Sequence, residues 1–288
     1  MEGNFDNLVL VVNLFIRNYK KKGAILKMKL EVKNGNFGYE NKCILKDINF
    51  EIPENTIMTI LGPNGVGKTT LLKCIMGFLK WNSGENYMDG KPLSSYSSKA
   101  FWQKTSYVPQ AKQSVFSYGV VDVVMMGLNA KQSFFSTPKA EDYDKAIHML
   151  DLLGISKLAN KSCNGLSGGE LQMVMMARAL ISEPELMILD EPESNLDMKN
   201  QLQIMNTIEK VSEEFHTSCL INTHFPNHAL QISDTTLMLG YGNKQVAGKT
   251  KDIVTAEHIK EYFNVCAKVV ALNVEAKEYK TIFPYQIA

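Results

Sequence analysis

The chain has no Cys-x-x-Cys pair, and its five cysteines (Cys43, Cys74, Cys163, Cys219 and Cys266) are scattered and odd in number. That excludes a disulfide framework or a cysteine zinc site and fits reduced thiols in a cytosolic protein. There is no long basic run, and the formal charge is +1 over 288 residues. A strongly basic nucleic-acid binder is thereby excluded, and no nucleic-acid partner is expected. No apolar stretch reaches the roughly 18 to 20 residues that span a bilayer. The nearest, Leu8 to Ile16, is too short, and its charges (Arg17, Lys20, Lys21, Lys22) follow it, whereas a signal peptide carries them first. Any membrane role must come through a partner. Internal repeats, low-complexity segments and heptad runs are also lacking. The length suffices for one large domain or two modest ones with a substantial core.

What is there begins with Gly62-Pro63-Asn64-Gly65-Val66-Gly67-Lys68-Thr69, a G-x-x-x-x-G-K-[ST] string. This is the phosphate-binding P-loop, whose glycines let backbone N–H groups approach the phosphates of a nucleotide. Lys68 reaches the β/γ-phosphates and the Thr69 hydroxyl ligates Mg²⁺. The flanks agree. Thr56–Leu61 is a β-branched apolar run of strand length, and Thr70–Leu79 has helical spacing, so the phosphate sits at a helix N-terminus near Thr70.

Further elements follow from pattern. Lys29–Asn34 alternates like an edge strand, and Ile48–Pro53 is another short strand. Glu141–Leu153 and Leu171–Ile181 read as helices, and Leu186–Leu189, Thr217–Asn222 and Thr235–Leu239 as core strands. Residues 94–165 are expected to form an inserted helical subdomain within a domain of residues 28–255. Residues 256–288 make a small C-terminal extension with a β unit over Val265–Pro284. Residues 1–27 form an N-terminal extension, disordered or outside the native product, with a membrane-surface anchor as the competing idea. Ser114–Gly119 is loop-like but carries Val115, Phe116 and Tyr118, an apolar surface suited to a partner. Asp122 just beyond is expected to cap a helix.

A P-loop enzyme needs a carboxylate in the Mg²⁺ shell and a group that orients water. Asp190 and Glu191 directly follow the strand Leu186–Leu189. Asp190 is assigned to the metal and Glu191 to the general base. Alone, such a pair is also an ordinary strand-to-loop transition with solvated acids. Leu166-Ser167-Gly168-Gly169-Glu170 opens a second helix with paired glycines, a second anion device. One nucleotide already occupies the P-loop, so this device serves a nucleotide held by another copy.

Taken together these residues resemble the ATP-binding subunits of ABC transporters, over about Met28 to Val254. Gly62–Thr69 is similar to Walker A, Leu166–Glu170 to the signature, and Leu186–Asp190 with Glu191 to Walker B and its catalytic glutamate. The resemblance implies further roles. Gln110 is the Q-loop glutamine that touches Mg²⁺ and senses the transport partner. Ser194–Asp197 is the D-loop, with Asp197 near the nucleotide. His224 is the switch histidine at the γ-phosphate, and Tyr39 the aromatic that stacks on adenine. It implies an α/β P-loop fold with a mixed, largely parallel sheet, an antiparallel β subdomain and an inserted helical subdomain. It implies an ATPase with ATP and Mg²⁺ as cofactors, in which Lys68, Gln110, Glu191 and His224 act in hydrolysis. Two copies sandwich two ATP and drive transmembrane permease subunits fed by a substrate-binding protein, on the inner face of the membrane. Thr223–Leu230 and Gly119–Gly127 resemble importers of iron–siderophore complexes, haem, cobalamin and related metal chelates. The alternatives are import of another substrate, such as molybdate or zinc/manganese, and a soluble ATPase with a non-membrane partner. Three departures stand out: Met173 for a basic residue, Glu193 for a small polar one and Glu170 for the commoner Gln.

Overall fold

The alternating stretch and the continuous apolar runs build different kinds of sheet. In the computed structural model, which describes residues 29–40, 42–110, 117–131, 137–275 and 277–288, the chain divides into two compact units. The expectations for residues 1–27 and for Ser114, Val115 and Phe116 lie outside the described residues.

One unit comprises residues 29–96, 189–191 and 218–288. Its antiparallel sheet takes β1 (Leu30–Tyr39), β2 (Lys42–Ile52), β4 (Ser83–Met88) and β5 (Lys91–Pro92) in the order β2-β1-β4-β5. The segment expected as an edge strand is therefore interior, hydrogen-bonded to β2 and β4 on its two sides. Alternation reports one solvated face, and both central and edge antiparallel strands have that. The second sheet of this unit carries β3 (Ile57–Leu61), β8 (Ser218–Thr223) and β9 (Thr235–Leu239) in parallel, with β10 (Gln245–Lys249) antiparallel to β9. Their order is β10-β9-β3-β8. Every residue of β3 and β8 is buried, as expected for parallel strands covered on both faces.

The helix predicted over Thr70–Leu79 is Lys68–Ile75 and stops early. Gly77 takes φ 74, its N–H donates to the Cys74 carbonyl at 3.1 Å, and the Phe78 N–H donates to the Lys73 carbonyl at 2.9 Å. This Schellman stop outweighs the apolar spacing beyond it. The tail forms the helix Ala256–Phe263 and a hairpin of β11 (Val265–Val274) and β12 (Lys277–Ile287). Ile259, Tyr262, Ala267 and Ile282 bury into the same apolar cluster as Leu61 and Met238, so the tail is fixed to the core.

The other unit is mostly helical among the described residues of 97–188 and 192–217. It holds helices Ser98–Lys104, Val120–Met125, Ala140–Leu152, Gly168–Leu180 and Met198–Phe215. Strand β6 (Thr105–Val108) neighbours β7 (Leu186–Asp190), whose residues 186–188 belong to this unit. Ala146, Met149 and Leu150 are fully buried and account for the period read in Glu141–Leu153. Asp122 is not the cap of its helix. Gly119 takes that position, and Asp122 lies in the first turn. All five cysteines are free, and burial pushes the Cys74 thiol up to about 12.

Candidate functional site

Strand register decides which loops meet. β3 and β8 are parallel neighbours with Leu61 opposite Thr223. The segments that follow, Gly62 onward and His224 onward, leave the same carboxyl edge of the sheet, where α/β folds bind ligands. The P-loop then turns into the helix Lys68–Ile75. Its N-cap, Gly67, has φ 105, and neither a side-chain cap nor an acid sits in the first turn. The helix start thus presents N–H groups without a side-chain acceptor, a ready anion site. Lys68 is only 5% exposed, and its Nζ donates to the Pro63 carbonyl at 3.2 Å. Thr69 is exposed and Thr70 half-buried.

Asp190 ends β7, and Glu191 sits at φ 47, a left-handed conformation that a non-glycine residue holds only at some cost. The Glu191 N–H donates to the Asn222 carbonyl at 2.9 Å. The Asn222 Nδ2 donates to Asp190 Oδ1 at 2.5 Å. Glu191 Oε1 lies 3.9 Å from Lys68 Nζ and 3.3 Å from His224 Nδ1. One carboxylate oxygen therefore faces both a buried cation and an imidazole. Lys68, Asp190, Glu191 and His224, read separately from the sequence, are brought together here.

Two residues at this site escaped the sequence reading. Asn222 is fully buried in β8 and orients Asp190. Its signal was a lone amide ending an apolar strand. Tyr241 donates its hydroxyl to the Asn64 carbonyl at 2.9 Å and braces the P-loop. No sequence pattern marks it. Tyr39, at the end of β1, is 53% exposed, with its ring edge-to-face against Phe37 at 5.0 Å. That ring is open to a ligand.

Gln110, Ser167–Glu170 and Asp197 belong to the helical unit. Gln110 is half-buried just after β6. Ser167 caps Gly168–Leu180 in a reciprocal box. The Glu170 N–H donates to Ser167 Oγ at 3.3 Å, and the Ser167 N–H to Glu170 Oε2 at 3.0 Å. That backbone bond, with Lys161 Nζ at 3.5 Å adding to it, holds the Glu170 carboxyl below the usual carboxylate range. A Cβ on Gly169 would lie 2.4 Å from the Asn200 side chain, so any larger residue would have to displace Asn200. Asp197 caps Met198–Phe215, accepting from the Asn200 N–H at 2.8 Å. Met173 and Glu193, two of the departures, are buried. His216 closes Met198–Phe215 at φ 53.

Residues 45–194 match the family model described as ABC transporter. The chain belongs to the ABC transporter family. The probable iron chelatin transport ATP-binding protein of Helicobacter pylori is 39% identical over 216 residues, covering 74% of this chain and 84% of that protein. The molybdate import ATP-binding protein MolC of Haemophilus influenzae is 33% identical over 237 residues, covering 82% and 88%. A solved structure of an ABC transporter assigned to the metal-chelate type, in an inward-facing conformation, superposes with a TM-score of 0.81 at 30% identity, over 91% of this chain and 98% of that one. This ABC protein is an ATP-binding subunit and an ATPase. Its mixed sheet, antiparallel strands and helices are those the resemblance implied. ATP fits the uncapped helix start, the buried Lys68 and the open Tyr39 ring. Among the described residues, no helix is long and apolar enough to cross a membrane.

Proposed function

We propose that this ABC ATPase energises an importer of an iron chelate or a related metal chelate, hydrolysing Mg·ATP at the Lys68–Glu191–His224 cluster. The observation that carries the chemistry is Glu191 Oε1 facing Lys68 Nζ and His224 Nδ1 from a left-handed backbone. Lys68 holds the β/γ-phosphates by charge and donated hydrogen bonds. Glu191 Oε1 takes the proton of the attacking water. His224 faces the γ-phosphate, and Tyr39 stacks on the base. Asp190, Thr69 and Gln110 hold the Mg²⁺, which neutralises phosphate charge when bound. Residues Gly62–Thr70 wrap the phosphates. Ser167–Glu170 and Asp197 face the nucleotide of a second copy, so two chains sandwich two ATP. Permease subunits in the membrane receive the motion, with the exposed Tyr118 next to their docking surface. The helical insertion over residues 94–165 carries that surface. The iron-chelatin relative and the metal-chelate-type structure support the substrate class. The molybdate-import relative supports a second reading, an oxyanion cargo for the same machine.

The test is Glu191→Gln, which keeps shape but removes the proton acceptor. The variant retains ATP binding while turnover falls by roughly 10²–10⁴-fold. Wild-type turnover by that variant would remove Glu191 from the role.

A further inference from the structure

A groove of about 420 Å³ opens beside the start of the helix Ala256–Phe263. That volume lies within the roughly 300–1,000 Å³ of small-molecule sites. Leu230, Val254 and Val269 give it an apolar floor, and Lys251 and Lys280 line it from two different elements, while Lys268, next to Val269 in β11 and paired with the exposed Phe283, lies on the outer face of the hairpin. Val254 is 2% exposed and belongs to the cluster that fixes the tail to Leu61 and Met238, with Leu230 packed against it. The hairpin completes the groove, since Val269 and Lys280 lie in β11 and β12.

The charges are what set this groove apart. Neither Lys251 nor Lys280 forms an ion pair or a side-chain hydrogen bond among the described residues. Elsewhere in the same unit exposed lysines find carboxylates readily. Lys244 lies 3.0 Å from Glu261, and Lys29 lies 2.8 Å from Glu31 and 2.7 Å from Glu51. Glu257 is the one acid lining the groove. Its carboxyl is held low first by its own backbone N–H and then by the Thr255 hydroxyl, so it is already engaged. The helix start is likewise engaged, since Thr255 Oγ1 accepts from the His258 N–H at 3.2 Å. Lys251 and Lys280 against the single carboxylate of Glu257 leave the groove net positive, and a concave wall focuses that field on an anion.

We propose that the C-terminal hairpin completes a binding groove for a small organic anion, one carrying a phosphate or carboxylate group on an apolar body. Lys251 and Lys280 take the charged group, and Val254, Val269 and Leu230 take the body. The same chemistry is offered by a free metabolite and by an anionic lipid headgroup.

The experiment uses the full chain with saturating ADP, so that the P-loop is occupied. Citrate and pyrophosphate are titrated by calorimetry, and vesicles with and without phosphatidylglycerol are tested by co-sedimentation. The comparison is with Lys251→Ser/Lys280→Ser and with the same two positions changed to Arg. The serine variant weakens binding at least about tenfold, the arginine variant retains it, and added salt weakens it in the wild type. Basal ATPase and melting temperature stay as in the wild type. Binding of citrate or pyrophosphate without vesicle binding assigns a free anion. Binding only to the phosphatidylglycerol vesicles, lost in the serine variant, assigns a headgroup. No binding of either probe, or binding equal in wild type and serine variant, overturns the proposal.

Discussion

The helices Lys68–Ile75 and Gly168–Leu180 both begin after glycine-bearing loops, yet their first turns are finished in opposite ways. The first has Gly67 in a left-handed conformation, no side-chain cap and no acid in its first turn. The second has Ser167 in an extended conformation and a full capping box with Glu170. An uncapped end leaves N–H donors for an outside anion, and a capped end satisfies them internally. Both loops read as phosphate-binding devices in sequence. Only the first leaves its first turn without a side-chain acceptor, and it adds a buried cation, Lys68. The second keeps its shape by itself, which suits a surface presented to another molecule.

Breaking the first loop has the largest expected effect. Gly67→Ala places a Cβ 2.9 Å from Ile44 Cγ2 at φ 105, where an L side chain is strained. The variant loses roughly 1–3 kcal/mol of stability, and nucleotide binding falls with the displaced loop. Denaturant unfolding and nucleotide titration together check this. Unchanged values in both would mean that the loop relaxes without cost, and the contrast would fail.

Tyr39 sharpens the comparison by asking how much nucleotide affinity lies outside the loop. Its exposed ring offers a stacking face, so Tyr39→Ala weakens ATP binding by roughly 1–3 kcal/mol. Tyr39→Phe is nearly silent, because stacking uses the ring. Equal losses for Ala and Phe, read by equilibrium binding, would assign the effect to the hydroxyl.

The smallest effects belong to the capped helix. Ser167→Ala costs about 1 kcal/mol of stability, whereas Glu170→Gln keeps the box and changes little at neutral pH. The two differ in acid. The folded state holds the Glu170 carboxyl below its ordinary range through the Ser167 N–H. Its stabilisation is complete above the unfolded value and is lost as pH falls through the lowered folded one. Glu170→Gln therefore lacks that share of the acid-side loss. Unfolding curves for wild type and Glu170→Gln that stay parallel through the acid range would contradict the assignment.

The sequence was informative about local chemistry. The P-loop string, the Asp190–Glu191 pair and Ser167–Glu170 are each contiguous, and their chemistry needs residues at fixed short spacing. The core strands were legible because strands buried on both faces, such as β3 and β8, read as apolar runs. Local pattern misled in three places, each for a physical reason. The Schellman stop at Gly77 ended a helix that apolar spacing extended, β1 proved interior, and Gly119 rather than Asp122 starts its helix.

The sequence by itself determined the ligand class and the order of the motifs, because backbone turns and side-chain types set them within a few residues. The tertiary structure alone decided that Lys68, Glu191 and His224 share one carboxylate oxygen, since Leu61 pairs with Thr223 across neighbouring parallel strands. It alone set Asn222 on Asp190 and Tyr241 on the P-loop. It alone gathered Lys251 and Lys280 on one groove. Contacts between residues far apart in the chain depend on strand register and packing, which no local pattern encodes.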